Sequence, residues 1–421
     1  VTLAPVEDQI DLTIEGIGAQ GDGLAGGLFA PLTLPGERVR VRVRASGDRA
    51  EVIEILSASP DRVSPPCPHF GDCGGCALQH WAWAPYLAWK VEQIRLALGR
   101  VGLETDILPP FVPPPGARRR LALHARREGR TVMLGFKARR SWRLASIDSC
   151  AIADPRLSCA LPVLRRIAEP FLEHPRSAPT LHVTTTLTGL DIDVTGVERR
   201  SGGLSADARM RAARAAAEAD VARVTLAGEA IYAARPALVR MGAATVALPP
   251  GAFLQAVPQA EAAMTAFAVA AAHGARRIAD LYCGVGAFTF PLAAVAPVLA
   301  ADAAGPAVAA LTSAMASAPG LKVIAAQVRD LDRRPVLAPE LKGIDVVLFD
   351  PPRAGAAAQC GEIARSRVER VIGVSCNAVT FARDARTLID AGFNLDRVLP
   401  VDQFVWSPHI ELVGVFSRGS R

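Results

Sequence analysis

Val368-Glu369-Arg370-Val371-Ile372-Gly373-Val374-Ser375-Cys376-Asn377 is an apolar, β-branched run that ends in a thiol where a strand should meet a loop. Two earlier stretches share the design. Residues 344–349 end in Asp350-Pro351-Pro352-Arg353, and residues 277–282 lead into Cys283-Gly284-Val285-Gly286. Three apolar strands, each closed by reactive, acidic or glycine-rich residues, predict an open α/β sheet with its site along the carboxyl edge. From Gly251 onward helical and strand-like stretches alternate, as in a doubly wound domain. Cys376 is the candidate nucleophile at that edge. A free cysteine is just as often a small buried apolar side chain, so the neighbouring motifs must decide.

The 421 residues exceed what one compact core holds, and two or three domains are expected. Half the residues are apolar. The alanine-rich stretches are broken by polar residues such as Glu261 and lack the Leu, Ile and Phe content of a spanning helix. No positive-then-apolar signal pattern opens the chain. A cytoplasmic, monomeric protein without a membrane segment is therefore expected.

The formal charge is +6, and of 47 basic residues only Lys90, Lys137, Lys322 and Lys342 are lysines. Arginine forks suit bidentate phosphate contacts, which points to nucleic acid. Genome-wide base composition also favours arginine over lysine, so local clusters carry more weight than the total. Arg118-Arg119-Arg120, Arg126-Arg127 and Arg139-Arg140, interleaved with Phe136 and Trp142, form the expected nucleic-acid face.

Three domains are expected. Residues 1–58 alternate apolar and polar residues between glycines and read as short strands of a small β-barrel. Prolines 60, 65 and 66 close it. Residues 59–250 form a central, mostly strand-like domain, and residues 251–421 the α/β domain. Within the central segment, residues 81–100 carry Leu87, Val91, Ile94 and Leu98 at helical spacing.

Cys67, Cys73 and Cys76 stand as Cys-x5-Cys-x2-Cys on a glycine- and proline-rich loop. Glycine allows the tight turns that bring sulfurs around one centre. In a cytosolic chain a metal is preferred over disulfides. Cys150, following a strand-like run, is the preferred fourth ligand, with Cys159 the runner-up. Four thiolates suit either structural zinc or an iron–sulfur cluster.

Asp280-Leu281-Tyr282-Cys283-Gly284-Val285-Gly286 is a glycine-rich strand-to-helix turn, and Asp302 follows the next strand. That spacing suits a nucleotide-like ligand whose ribose is held by the acidic residue. A dehydrogenase would give Asp350-Pro351-Pro352-Arg353 and Cys376 no role. In chain order, Phe253-Leu254-Gln255, Asp280-Leu281-Tyr282-Cys283-Gly284, Asp350-Pro351-Pro352-Arg353, Ser375-Cys376-Asn377 and His409-Ile410-Glu411 resemble the motifs of the RNA 5-methyluridine methyltransferases. The four cysteines and the glycine-punctuated N-terminus resemble the branch acting on 23S ribosomal RNA, which carries a 4Fe–4S cluster and an RNA-binding TRAM domain of OB-like shape.

The resemblance implies a class I, Rossmann-like methyltransferase domain dependent on S-adenosylmethionine. It implies Gln255, Tyr282, Asp302 and Asp350 as cofactor contacts, with Gln327 a further one near the adenine. It also implies Cys67, Cys73, Cys76 and Cys150 as cluster ligands, Cys376 as nucleophile and Glu411 as the final base. The helix of residues 81–100 is then expected to pack on the catalytic domain. Asp302 is shorter than a frequent glutamate, and Ala287 and Ala378 replace a frequent asparagine and proline; no reacting group is lost. The expected partner is 23S ribosomal RNA, with a transfer-RNA uracil-5-methyltransferase as the alternative. A cytosine-5 methyltransferase fits less well because its cysteine follows a different, proline-containing motif. A non-catalytic iron–sulfur RNA-binding protein would not need Cys376, Asp350 and Glu411 together. Arginines and the sheet edge are expected to lower the Cys376 pKa.

Overall fold

The structure, a computed structural model, describes residues 8–43, 47–198 and 203–419; residues 1–7 and 44–46 of the expected N-terminal domain lie outside them. In that domain Asp8–Thr13, Arg38–Val43 and Ala50–Ser57 form one antiparallel sheet. Gly16–Ile17, Gly23–Ala25 and Leu28–Ala30 form a second. Ile14, Ala25, Ala30, Val39, Val41 and Ala50 fill the core between them. Alternation along Arg38–Val43 explains the choice of face, because Val39 and Val41 point inward while arginines 38, 40 and 42 pair with carboxylates outside.

The central domain holds a seven-stranded sheet. Its order is Leu144–Ser146, Thr131–Lys137, Arg120–Glu128, Thr180–Thr186, Gly189–Thr195, Arg223–Leu226 and Glu229–Ala233. Helices Leu161–Ala168 and Ala206–Glu218 cover one face, burying Leu161, Leu164 and Ile167, and Ala208, Ala212 and Ala216. Spacings of three and four residues put each set on one helix face.

The third domain is built on an eight-stranded sheet. Its order is Ile324–Val328, Val298–Asp302, Ile278–Leu281, Val346–Phe349, Arg370–Ser375, Glu411–Arg418, Phe393–Val401 and Asp106–Ile107. The first five strands are parallel, and Glu411–Arg418 runs against its neighbours. Apolar clusters lie on both faces, as continuous strands such as Ile278–Leu281 and Val346–Phe349 require. Helix Trp83–Gly99 packs into one of them through Ile94, Ala97 and Leu98, and the strand Asp106–Ile107 that follows extends the sheet edge. This sheet therefore draws on two separated parts of the chain. Among the described residues no helix is long and apolar enough to cross a membrane.

Register decides the site. Leu281 pairs with both Ala301 and Phe349, and Phe349 with Gly373, so Tyr282, Asp302, Asp350 and Cys376 leave the sheet along one edge. Ser375 pairs with Leu412 in the antiparallel direction. The first residue of that strand, Glu411, consequently stands at the same edge as the last residues of the others.

Candidate active site

A cavity of about 920 Å³ opens at this carboxyl edge, lined by Gln255, Tyr282, Asp302, Asp350, Cys376 and Glu411 among others. Six of the expected site residues thus meet in one place. Gln327 is not among the lining residues. Its strand, Ile324–Val328, pairs Gln327 with Ala301, one step short of the edge, and the loop carrying Asp330, Leu331 and Asp332 reaches the cavity instead.

The glycine turn is shaped by its backbone. Tyr282 has φ +63° and Gly286 φ +98°. A Cβ at Gly286 would stand 2.7 Å from the Phe290 ring, so only glycine fits where the following helix closes on the strand. Tyr282, a bulky residue in left-handed backbone, carries strain of the kind found at ligand sites. Its hydroxyl donates to Asp332 at 3.0 Å. Asp302 is expected to face a ribose, and it is already oriented by backbone N–H groups: Gly284 at 2.9 Å and Ala304 at 2.7 Å.

Asp350 accepts a hydrogen bond from Gln255 Nε2 at 2.9 Å. Burial pushes its carboxyl above the usual range; the Gln255 bond opposes this, and the Glu261 and Asp302 carboxylates add to it. Glu411 is 3% exposed and accepts from Gln403 Nε2 at 2.6 Å. Burial, with Asp350 beside it, holds Glu411 well above the usual range, while Gln403 and Arg353 pull it back. Such a carboxylate is suited to accept a proton.

Cys376 is half-buried, and the next residue, Asn377, caps helix Ala378–Asp390 by accepting from Val379 N at 3.0 Å. The Asn377 amide also donates to the Arg353 carbonyl at 3.4 Å, joining the two catalytic loops. The expected lowering of the Cys376 pKa is overturned. Burial raises it, and Glu411 adds to the rise; Arg353 opposes both through its charge and a hydrogen bond. Loss of water around the thiol is the largest influence, and the one arginine that reaches it does not reverse the rise.

A second cavity, of about 400 Å³, is lined by Cys67, Cys73, Cys76 and Cys150. Cys159 is exposed and does not line it. The loop lies tight against the neighbouring hairpin: a Cβ on Gly74 would stand 2.5 Å from the Lys137 carbonyl. Among the described residues no group of three or more His, Cys, Asp and Glu side chains could hold a metal ion. A single zinc would require all its sulfurs about 2.3 Å from one point. The two cavities share a wall, since Arg118, Leu121, Ala122, Arg353 and Phe404 line both. Ala77 and Leu78, next to Cys76, donate to the Trp406 carbonyl at 2.8 and 3.0 Å, so the cysteine loop is bonded directly to the loop before Glu411.

The expected arginine face is largely used inside the protein. Arg119 pairs with Glu261 at 2.6 Å and Arg120 donates to the Leu254 carbonyl at 2.8 Å. Arg118 donates to the Arg120 carbonyl at 3.0 Å. Arg139 and Arg140 both pair with Asp22, which is fully buried in the N-terminal domain, and Arg127 pairs with Glu169. Arg119, Arg120, Arg139 and Arg140 join domains, while Arg118 and Arg127 bond within the central one; a run of arginines in a sequence does not reveal which partners the fold will bring against it. Arg126 and Trp142 remain exposed, Trp142 at 84%.

Gln403 was not indicated by any motif, yet it contacts Gln255, Ala256 and Glu411. A lone glutamine in a loop carries no spacing signal that would have found it.

The family described as tRNA (Uracil-5-)-methyltransferase matches residues 246–419. An RNA methyltransferase of Caulobacter vibrioides, described as uncharacterized, is 67% identical, covering 97% of this chain and 100% of the relative. The 23S rRNA (uracil(1939)-C(5))-methyltransferase RlmD of Chromohalobacter salexigens is 34% identical over 97% of this chain and 89% of its own. In fold the chain resembles the Pyrococcus abyssi tRNA (uracil-54, C5)-methyltransferase, crystallised with S-adenosyl-L-homocysteine, with a TM-score of 0.73, 23% identity, and 96% and 99% of the two chains covered. On the match to the Chromohalobacter enzyme along nearly the whole chain, and with the thiol and carboxylates gathered at one sheet edge, the chain belongs to the RNA uracil-5-methyltransferase family.

Proposed function

We propose that the protein methylates carbon 5 of a specific uridine in 23S ribosomal RNA through a covalent adduct with Cys376. The observation that carries this reading is the placement of Cys376 and Glu411 at one cavity edge, on adjacent strands. S-Adenosylmethionine would supply the methyl group as an electrophilic sulfonium. Gln255, Tyr282, Asp302 and Asp350 would hold it, and their carboxylates suit a cationic ligand.

Carbon 5 of uracil is a weak nucleophile. Attack of the Cys376 sulfur on carbon 6 moves the ring electrons into an enolate and makes carbon 5 reactive. Once carbon 5 carries the methyl group, Glu411 would take the carbon 5 proton, and the C–H electron pair would restore the ring double bond as sulfur departs. Burial raises the Cys376 pKa, so the thiol has to give up its proton before it attacks carbon 6. The base must be extruded from its strand to enter.

We also assign the four cysteines to a 4Fe–4S cluster. Four thiols that line one cavity suit a cubane, which offers four irons to four thiolates. Residues 1–58 would be a TRAM-like RNA-binding module, residues 59–250 the cluster domain and residues 251–421 the methyltransferase domain. Ribosomal RNA is favoured by the Chromohalobacter relative, which matches along nearly the whole chain. The matched family description favours transfer RNA as the second reading. Nuclease digestion and mass spectrometry of both RNAs from a gene-deletion strain separates them: loss of one 5-methyluridine from 23S RNA is expected. Loss from transfer RNA alone would establish the second reading.

A further inference from the structure

The amides of Gln255 and Gln403 are ordered in one direction. The Ala256 N–H can only donate, and it donates to Oε1 of Gln403 at 3.0 Å. The Gln403 amide is thereby fixed, with Nε2 donating to Gln255 Oε1 at 2.8 Å and to Glu411 Oε2 at 2.6 Å. Gln255 in turn donates through its own Nε2 to Asp350 Oδ2 at 2.9 Å. Gln403 is 3% exposed and both of its amide hydrogens are committed.

We propose that Gln403 is the positioning residue for the base: it orients Glu411 through one oxygen and ties that carboxylate to the residues lining the cofactor side of the cavity. The proposal rests on the reading of Glu411 as the base. Glu411 shares its surroundings with Asp350, Arg353 and Cys376. Burial and Asp350 favour the protonated form of Glu411, and the Gln403 bond works against both. A neutral donor favours the ionised form without adding a charge, so Glu411 stays basic; a lysine or arginine in its place would weaken the base.

With Oε2 occupied, the carbon 5 proton goes to Oε1. The C–H electron pair becomes the ring double bond, and the carbon–sulfur pair leaves with Cys376. Oε2 can accept from Gln403 whether or not Oε1 is protonated, so the carboxylate keeps its orientation through the step. Because Gln403 also fixes the Gln255 amide, the base and the cofactor side of the cavity share one rigid element.

The test compares Gln403→Leu, Gln403→Glu and Glu411→Gln in single-turnover reactions with a uridine-containing stem-loop RNA between pH 6 and 9. Adduct formation and RNA release are followed separately. For Gln403→Leu, release should slow by roughly tenfold or more near pH 7 and its acid limb should move up by about one pH unit, as expected for a lost hydrogen bond to a charged group. Release should recover at high pH, and adduct should still form. Gln403→Glu keeps the size of the side chain and should shift the limb at least as far, so it carries the test if the leucine variant does not fold. Calorimetric binding of S-adenosylhomocysteine identifies folded variants. A wild-type pH profile in either variant, or a loss equal at every pH, would overturn the proposal. Glu411→Gln releasing RNA at the wild-type rate would overturn the base assignment as well. A stalled Glu411→Gln beside an unaffected Gln403→Leu would overturn only the role of Gln403.

Discussion

Arg119 of the central domain and Glu261 of the catalytic domain form an ion pair at 2.6 Å in which both side chains are nearly removed from water. Burial pushes Glu261 up, and Arg119 draws it back. Arg119 Nε also donates to the Gln255 carbonyl at 2.9 Å, so the pair sits behind a cavity residue. Arg119→Ala should destabilise the protein by about 3–5 kcal/mol, because it strands a buried carboxylate. Urea unfolding measures this. The same variant, assayed where it is folded, should leave the salt dependence of RNA binding unchanged; a slope reduced by about 0.7 would show a phosphate contact instead.

Cys376→Ala should abolish methyl transfer and form no adduct, since the other described thiol lining the cavity, Cys283, is buried in the glycine turn. Glu411→Gln should attack and transfer the methyl group, then stall before sulfur is expelled. Mass spectrometry of the denatured mixture should therefore find methylated RNA on Glu411→Gln and none on Cys376→Ala. Normal turnover by Glu411→Gln would place the base elsewhere.

Asp280 lies beneath the glycine turn, fully buried, and accepts from Thr289 Oγ1 at 2.5 Å. Its other oxygen has no partner. Burial raises its pKa to about 7; Thr289 opposes the rise, and Asp350 and Asp302 add to it. A carboxyl raised in the folded state stabilises fully below its unfolded pKa, and that contribution is lost as pH rises through about 7. Asp280→Asn removes the titration. Denaturant unfolding between pH 4 and 8 should show a flatter decline for the variant than for the wild type; identical slopes would mean that Asp280 does not titrate in this range.

Protein purified without oxygen should be brown and hold about four irons per chain, as a cubane on four thiolates does. Cys150→Ser should lose the iron, whereas Cys159→Ser, whose side chain is exposed outside the cavity, should keep it. Stoichiometric zinc without iron would refute the cluster.

The catalytic sheet was legible because its strands are apolar on both faces and end in residues that have no structural use there. The motif at Asp350 and Cys376 fixed the edge, and register then placed Glu411, which periodicity alone would not have brought to it. Gln327 stands apart from the other six for a local reason: it pairs with Ala301, one residue before the edge of the sheet. The arginine clusters were harder to read in their internal partners. Their charge was visible, but their partners Asp22 and Glu261 lie 117 or more residues away in the chain, and only folding brings them together. Gln403 was invisible because its meaning lies entirely in three contacts.

The split origin of the catalytic sheet has a consequence for how the protein can be divided. Residues 246–419 carry every reacting group, yet cutting there would strip Asp106–Ile107 from the outer strand Phe393–Val401 and leave that strand as an open edge. It would also remove Lys90 and Tyr86, the buried partners of Asp402, whose carboxylate accepts from Tyr86 at 2.7 Å. An orphaned charge next to Gln403 and a bare strand able to recruit other chains make the excised fragment a route to aggregates. The thiol and carboxylates of the cavity belong to the last part of the chain, and the cover of its sheet edge to a helix and a strand made long before it.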